Sequence, residues 1–248
     1  MCKAHSARAA RNPKLVILAL FVTGGAAGCG STGQNQISYP IEAEGHAPAP
    51  FMAGAWQVTL DVAQVGFGPL YFCASASSSL DTCPTAVAEL AAAATVDALS
   101  PQAQPIGQVE ALTEEVRSAI YGYAYTWRLT DSAPRSISGA PGGHSAHFEG
   151  TATQGASSLR FVADVDVLPT FAGTLPVQGA PVVPTVQSAD LRLGVAFDPA
   201  AWWSHVDFDD LAAAGGDPVT VTPSSRAYNA LVVEMTSADR PKLTWTEQ

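Results

Sequence analysis

Alternation of apolar and polar residues begins at Trp56 and predicts a domain built from β-strands. Trp56, Val58 and Leu60 share one face of an extended segment, and Gln57 lies on the other face. Further segments of this kind are predicted at 70–73, 106–112, 116–129, 147–153, 159–168, 186–197, 219–222, 228–235 and 243–245. Turn residues separate these segments, and no long helix alternates with them. We therefore predict an all-β domain over 51–248, an antiparallel β-sandwich (jelly-roll or immunoglobulin-like) with one or two short helices.

The most helical segment of the predicted domain is the alanine-rich stretch 84–94. It follows a candidate cap at Thr82 and has a proline in its first turn. Two short helical turns are predicted at 200–204, after Asp198, and at 211–214, after a cap at Asp207 or Asp209. Each needs packing against the strands to persist, because isolated helices of this length are marginal in water.

The N-terminal segment has the pattern of a secretory signal. Four basic residues and no acidic residue occur in the first 14 positions, and eight apolar residues follow at 15–22. Small residues then lead to Cys29. The apolar stretch is shorter than the roughly 20 residues that a membrane-spanning helix needs. We therefore predict that residues 1–28 are a cleaved signal peptide.

The end of this segment, Ala26-Ala27-Gly28-Cys29, resembles the lipobox of bacterial lipoproteins. The resemblance implies cleavage before Cys29, a lipid on its sulfur, an acyl group such as palmitate on its new amine, and attachment to a membrane. Ala26 stands where that family usually has leucine. Gly30, where aspartate would retain such a protein at the inner membrane, implies the outer membrane, with the domain facing the periplasm or the exterior. The alternative is soluble secretion after a cut near the same place.

Residues 29–50 have the composition of a flexible tether. They are rich in Gly, Ser, Gln, Asn, Pro and Ala and end in the sequence HAPAP. Such a segment has too few large apolar side chains to offset the entropy lost on ordering. We therefore expect 29–50 to hold the domain at some distance from the membrane.

The charge of the chain argues against nucleic acid as a partner. The net charge is −10, and removal of residues 1–28, which hold four of the 12 basic residues and none of the 22 acidic ones, changes it to −14. So acidic a chain is repelled by phosphate backbones and by anionic lipid surfaces. We therefore expect membrane contact through the anchor, with a protein or small molecule of unknown identity as partner.

Two cysteines remain after Cys29 and are predicted to pair. Cys73 and Cys83 form an even pair in an oxidising compartment. A bond across so short a loop contributes roughly 2–3 kcal/mol to the free energy of unfolding. A metal site built on these two cysteines lacks the close spacing of such motifs.

Three histidines are the candidate metal ligands. His144 and His147 lie in the sequence GGHSAH, and His205 is a possible third ligand for Zn or Cu(II). His46 is a weaker candidate. We expect these histidines to be loop or strand-end residues without a metal, and therefore no resident cofactor, and the metal site is the alternative.

Other polar and aromatic clusters have structural explanations as well as functional ones. The acidic run 205–210 does not match the spacing of an EF-hand calcium loop, and helix capping explains its aspartates. The pair Trp202-Trp203 either stacks a ligand or fills the core. The alternating aromatics at 121, 123, 125 and 127 form either a ligand platform or, as we expect, part of the core.

No catalytic signature is present in the sequence. The stretch 143–147 lacks the G-x-S-x-G spacing and the strand–turn–helix context of a nucleophile elbow, and zinc-protease and phosphate-loop motifs are absent. We therefore predict no enzyme. The remaining alternative, an envelope hydrolase, requires a polar cleft with an acid or base of shifted pKa.

The stretches WQVTLDVAQVGFGPLYFC, GGHSAHFEGTA, FDPAAWWSHVDFDDL and SRAYNALVVEM resemble a group of uncharacterised bacterial lipoproteins. This resemblance implies a lipid-anchored domain of the cell envelope and supplies no site residues. Together with the missing signatures, it favours a non-catalytic binding or structural role, with a metal-binding lipoprotein as the first alternative.

Overall fold

The computed structural model describes residues 35–77, 86–237 and 239–248, and these residues form an all-β domain with three short helices. This confirms the predicted fold class. The strands are β1 (Gln36–Glu44), β2 (Phe51–Ala53), β3 (Trp56–Phe67), β4 (Leu70–Cys73), β5 (Ala88–Leu90), β6 (Ala94–Asp97), β7 (Gln104–Leu112), β8 (Glu115–Tyr121), β9 (Tyr125–Thr126), β10 (Arg135–Ser136), β11 (Ala146–Gln154), β12 (Ser157–Val165), β13 (Val177–Val186), β14 (Leu191–Ala196), β15 (Val219–Val221) and β16 (Lys242–Glu247). The helices are α1 (Pro199–Ser204), α2 (Phe208–Ala214) and α3 (Arg226–Thr236).

The larger sheet has eight strands in the order β13-β8-β4-β5-β7-β1-β14-β16. Its edge strands β13 and β16 approach each other, so that the sheet nearly closes on itself. All pairs in it are antiparallel except β1 with β14. Near closure leaves few unpaired backbone groups at the edges, which otherwise invite pairing with other chains.

The smaller sheet follows the order β15-β12-β11-β3-β2, with β6 also paired to β3. Its centre is the hairpin of β11 and β12, which confirms the hairpin predicted at 147–153 and 159–168. The two sheets share one hydrophobic core. Trp202 and Trp203 of α1 are fully buried in it and contact Phe148 at their ring edges.

The prediction that residues 29–50 form a flexible tether is wrong for most of the part that the structure describes. Residues 36–44 form β1, which lies between β7 and β14 in the larger sheet. Tyr39, Ile41 and Ala43 are buried in the core. The local composition was misleading because the apolar residues of β1 alternate with polar ones, and pairing on both edges supplies the stability that the segment lacks alone.

Two further local predictions fail for a similar reason. The alanine-rich stretch predicted as a helix at 84–94 contains β5 and the start of β6 in its described part, 86–94. The segment 228–235, predicted as a strand, lies in α3. In both, tertiary packing overrides the weak preference of the local sequence. The helices at 200–204 and 211–214 are confirmed, with side-chain caps from Asp198 and Asp207.

Cys73 ends β4 and is buried. Cys83, its predicted partner, lies outside the described residues, as do residues 1–34 with the signal peptide and Cys29. The Cys73–Cys83 bond and the lipid on Cys29 therefore stay predictions.

Candidate functional site

The fold does not bring the three predicted histidine ligands to one place. His144 lies two residues before β11, and its Nδ1 is 3.0 Å from Asp166 Oδ1. His147, on the outer face of β11, has Nδ1 2.7 Å from Asp164 Oδ1 and Nε2 3.1 Å from Glu149 Oε1. Both nitrogens of His147 are thus occupied by carboxylates. Within the described part of the chain, the only metal-ligand group includes His205 and excludes the other two.

The environment of His147 favours its protonated form. Burial by itself lowers the pKa of His147, but the hydrogen bonds and charges of Asp164 and Glu149 outweigh it and raise the pKa above its usual value. The charged imidazole then joins two acidic side chains on the exposed face of the β11–β12 hairpin. This arrangement is a surface ion-pair cluster rather than a set of free metal ligands.

The group that does converge consists of His205, Glu234 and Asp239. The ligand atoms of these three side chains all lie within 4.8 Å of one another. His205 Nε2 is 3.6 Å from Asp239 Oδ2. We call this group the His205 cluster. It contains one of the histidines that the sequence singled out and two carboxylates that it did not.

Three separate elements position the His205 cluster. His205 ends α1, where its backbone N–H donates to the Trp203 carbonyl oxygen. Glu234 lies in the last turn of α3, and Asp239 lies between α3 and β16. The Trp202 indole Nε1–H donates to the Asp239 carbonyl oxygen at 2.6 Å. Because Trp202 is fully buried, this bond ties the Asp239 backbone to the core.

One imidazole and two carboxylates form a donor set that suits Zn²⁺ or a similar divalent ion. Ligand atoms around one tetrahedral zinc ion lie about 3.4 Å apart, as follows from bonds of 2.0–2.1 Å. His205 is exposed and the two acids are partly exposed, so modest side-chain rotations are enough to close the cluster around an ion. A fourth position then remains for water or for a ligand from outside.

A second polar network surrounds Asp166. Its Oδ1 lies 2.9 Å from Tyr125 Oη as well as 3.0 Å from His144 Nδ1. Its backbone N–H donates to Tyr228 Oη at 2.8 Å. Burial, together with the hydrogen bond to Asp166, raises the pKa of Tyr125. The network therefore holds the start of β11, the end of β12 and the first turn of α3 together.

A histidine paired with an aspartate is also found in hydrolases, where the histidine activates a serine. The adjacent hydroxyl, Ser145 Oγ, is fully buried and accepts a hydrogen bond from the Val167 N–H at 3.0 Å. Ser145 is therefore occupied in the core rather than presented to a substrate. Among the hydrogen bonds of the described residues, the His144 side chain is joined to Asp166 alone, so the arrangement does not assemble a nucleophile–base pair.

One surface groove of the domain has polar side chains at its rim that are engaged in contacts within the fold. The groove has a volume of about 570 Å³ and lies between the end of α2, β15 and the start of α3. Arg226 at its rim pairs with Asp210 at 3.2 Å. Ser225 Oγ accepts the Tyr228 N–H as the cap of α3. These contacts stabilise the fold and leave no pair of groups poised for acid–base chemistry in this groove.

Of the aromatic residues singled out in the sequence, Tyr121, Tyr123 and both tryptophans of α1 lie in the core, whereas Tyr125 belongs to the Asp166 network and Trp127 is partly exposed. These four core side chains are each 0% exposed. His46, the weaker metal candidate, has Nδ1 2.9 Å from the Phe197 carbonyl oxygen and lies outside the His205 cluster. Stacking of a ligand on these rings would need a rearrangement of the core.

Comparison of the chain with protein-family models, with curated proteins and with solved structures finds no match. In residues 35–77, 86–237 and 239–248, no helix combines the length and the hydropathy that crossing a bilayer requires.

Proposed function

We propose that the protein is a lipid-anchored domain of the cell envelope with a non-catalytic binding or structural role. The observation that carries this proposal is the N-terminal segment, in which a basic head and a short apolar stretch lead to Cys29. Six residues later β1 of an all-β domain begins. The anchor places the domain at the outer membrane, facing the periplasm or the exterior. A Cys73–Cys83 disulfide suits that oxidising compartment.

The polar groups of the described domain support a non-catalytic role. His147 is joined to two acids, His144 and Tyr125 are joined to Asp166, and Ser145 is buried. Each of these groups makes a hydrogen bond that stabilises the folded domain, and this structural role accounts for its presence. A chain this acidic also excludes phosphate-rich partners on electrostatic grounds.

The anchor is tested by the mass of the mature protein extracted from membranes. We expect residues 29–248 plus a glyceryl and three acyl groups, less the two hydrogens lost on forming one disulfide. Cys29→Ser is expected to remove the lipid mass and release the domain from the membrane fraction. Cys2→Ser, a matched control within the predicted signal peptide, is expected to leave both unchanged. A mature protein without acyl groups would refute the proposal.

Convergence of the His205 cluster supports a second proposal, that this domain binds a divalent transition metal there. The residues differ from the predicted trio, because Glu234 and Asp239 replace His144 and His147 as partners of His205. The test is native mass spectrometry and titration calorimetry with Zn²⁺ and Cu²⁺ after removal of metal by a chelator. We expect one ion per chain, lost in His205→Ala and kept in His147→Ala. Binding that survives His205→Ala, or no binding at all, would contradict this proposal.

A further inference from the structure

The position of β1 limits how far the domain can lie from an anchor at Cys29. The Asn35 carbonyl oxygen accepts the Thr113 N–H at 3.2 Å, and β1 begins at Gln36. Six residues, 30–35, separate Cys29 from Gln36, and the fully extended chain from Cys29 to Gln36 is about 25 Å long. A tether that reached to Phe51, as the composition predicts, would extend to about 75 Å.

Strand register identifies the end of the larger sheet at which β1 begins. Gln36 lies opposite Leu112, Val186 lies opposite Glu115, and Leu191 lies opposite Glu247. Hydrogen bonds join the neighbouring turns, from Gln187 N–H to the Glu114 carbonyl oxygen at 3.0 Å and from Gln248 N–H to the Asp190 carbonyl oxygen at 2.8 Å. We call this the proximal end. It comprises residues 35–36, 112–115, 186–190 and 247–248.

We infer that the proximal end faces the lipid bilayer that holds the anchor. This inference rests on the proposed lipid at Cys29. The nine residues of β1 extend over about 30 Å. The linker therefore holds Gln36 within about 25 Å of the anchor, whereas Glu44, at the other end of β1, can lie about 55 Å from it. The anchor therefore favours orientations in which the proximal end is the one nearer the bilayer.

The side chains of the proximal end fit a surface held near lipid by the anchor and not by charge. Glu114, Asp190 and Glu247 are acidic, and Arg117 nearby is paired with Glu115. Anionic headgroups repel such a surface, and the covalent anchor has to overcome that repulsion. Val186, which is 63% exposed, adds a single apolar contact.

The orientation also decides what remains open to the aqueous compartment. Asp239 of the His205 cluster precedes Lys242, and Lys242 lies at the opposite end of β16 from Glu247. A ligand that arrives from the aqueous side thus meets the cluster without passing between the domain and the bilayer. Binding at the cluster and anchoring at the proximal end are therefore compatible.

The test is energy transfer from a labelled domain to dye-bearing headgroups in phosphatidylcholine vesicles. The lipoprotein purified from membranes is labelled at Glu247→Cys, at the proximal end, or at Gln102→Cys. Gln102 is exposed and lies near the far end of β1. The Gly45 N–H, directly after β1, donates to the Ser100 carbonyl oxygen at 2.8 Å and so places the segment with Gln102 at that end. The parent protein without an added cysteine controls for labelling of native thiols.

We expect clearly higher transfer from position 247 than from position 102. A Gly/Ser insertion after Gly30 that lengthens the linker about threefold should remove most of this difference, because a flexible linker of that length permits other orientations. Equal transfer from both positions with the native linker, or higher transfer from position 102, would overturn the inference while leaving the anchor intact. Protein that does not float with the vesicles would refute the anchor itself, and the inference with it.

Discussion

Trp202 and Trp203 are neighbours in α1 and are equally buried, but their indole N–H groups have different surroundings. Trp202 Nε1–H donates to the Asp239 carbonyl oxygen at 2.6 Å. Trp203 Nε1 is buried and has no acceptor among the described residues. We therefore expect Trp202→Phe to lower the free energy of unfolding more than Trp203→Phe does.

The size of the difference follows from the hydrogen bonds, since both substitutions delete the same atoms from a packed core. In Trp202→Phe the Asp239 carbonyl oxygen loses its partner, and because Asp239 is partly exposed this costs about 0.5–1.5 kcal/mol, the net contribution of an ordinary hydrogen bond. In Trp203→Phe an unpaired N–H is removed, which recovers part of a penalty of about 1–3 kcal/mol. The two variants should therefore differ by about 2 kcal/mol.

Urea unfolding followed by circular dichroism measures this difference without depending on tryptophan fluorescence. Trp56→Phe is the matched control, because Trp56 Nε1–H donates at 2.8 Å to Oδ1 of the exposed Asp209, which water can solvate after the change. Trp202→Phe should also weaken zinc binding, since it frees the backbone of Asp239. Equal losses of stability for Trp202→Phe and Trp203→Phe, or a larger loss for Trp203→Phe, would refute the reasoning.

Three further predictions concern single positions. The raised pKa of His147 contributes stability that is fully present below about pH 6.5 and is lost as the pH rises through the folded-state pKa. His147→Gln should therefore lower the free energy of unfolding more at pH 5.5 than at pH 8, as measured by urea unfolding. Gly150→Ala should destabilise by about 1–3 kcal/mol, because the new Cβ would lie 2.6 Å from the Phe161 ring; Gly194→Ala, whose nearest contact is 3.5 Å away, should stay within about 0.5 kcal/mol in the same melts. Ser225→Ala should cost about 1 kcal/mol by removing the cap of α3, measurable by thermal unfolding.

The parts of the fold that the sequence predicts well are those in which one segment contains the whole signal. The β11–β12 hairpin alternates apolar and polar residues on both sides of a tight turn, and each residue of the pattern faces the side that its period requires. The caps at Asp198 and Asp207 are likewise local, since a side chain and an amide two or three residues away suffice to form them.

The errors fall where a segment depends on partners distant in sequence. Helix α3 contains adjacent valines and an aromatic residue, which favour a strand, yet its buried residues Ala227, Leu231 and Met235 recur at the four-residue spacing of a helix. Strand β5 has three residues and gains its conformation from pairing with β4 and β7. Neither pairing can be read from an alanine-rich stretch alone.

The His205 cluster could not be predicted from spacing, because its three members are joined by the packing of α1 against α3 and by no motif. The correct helical assignment of 226–236 was the missing step, since a strand there gives no reason to place Glu234 beside the end of α1. His144 and His147 were attractive because they are close in sequence. Asp166, directly after β12, pairs with His144, and Asp164 of β12 and Glu149 of β11 pair with His147. In so acidic a chain, a carboxylate is a more frequent neighbour of a histidine than a second histidine is.

Strand β1 shows how a local error changes a functional conclusion. Ile37, Tyr39, Ile41 and Ala43 alternate with polar residues, so the period of a strand is present in the sequence, but Pro40 and the surrounding Gly, Ser and Gln obscure it. As part of a tether, these residues would leave the domain free to rotate above a membrane. As a strand between β7 and β14, they shorten the linker to about one third, and with the proposed anchor at Cys29 so short a linker favours the proximal end as the end nearer the bilayer.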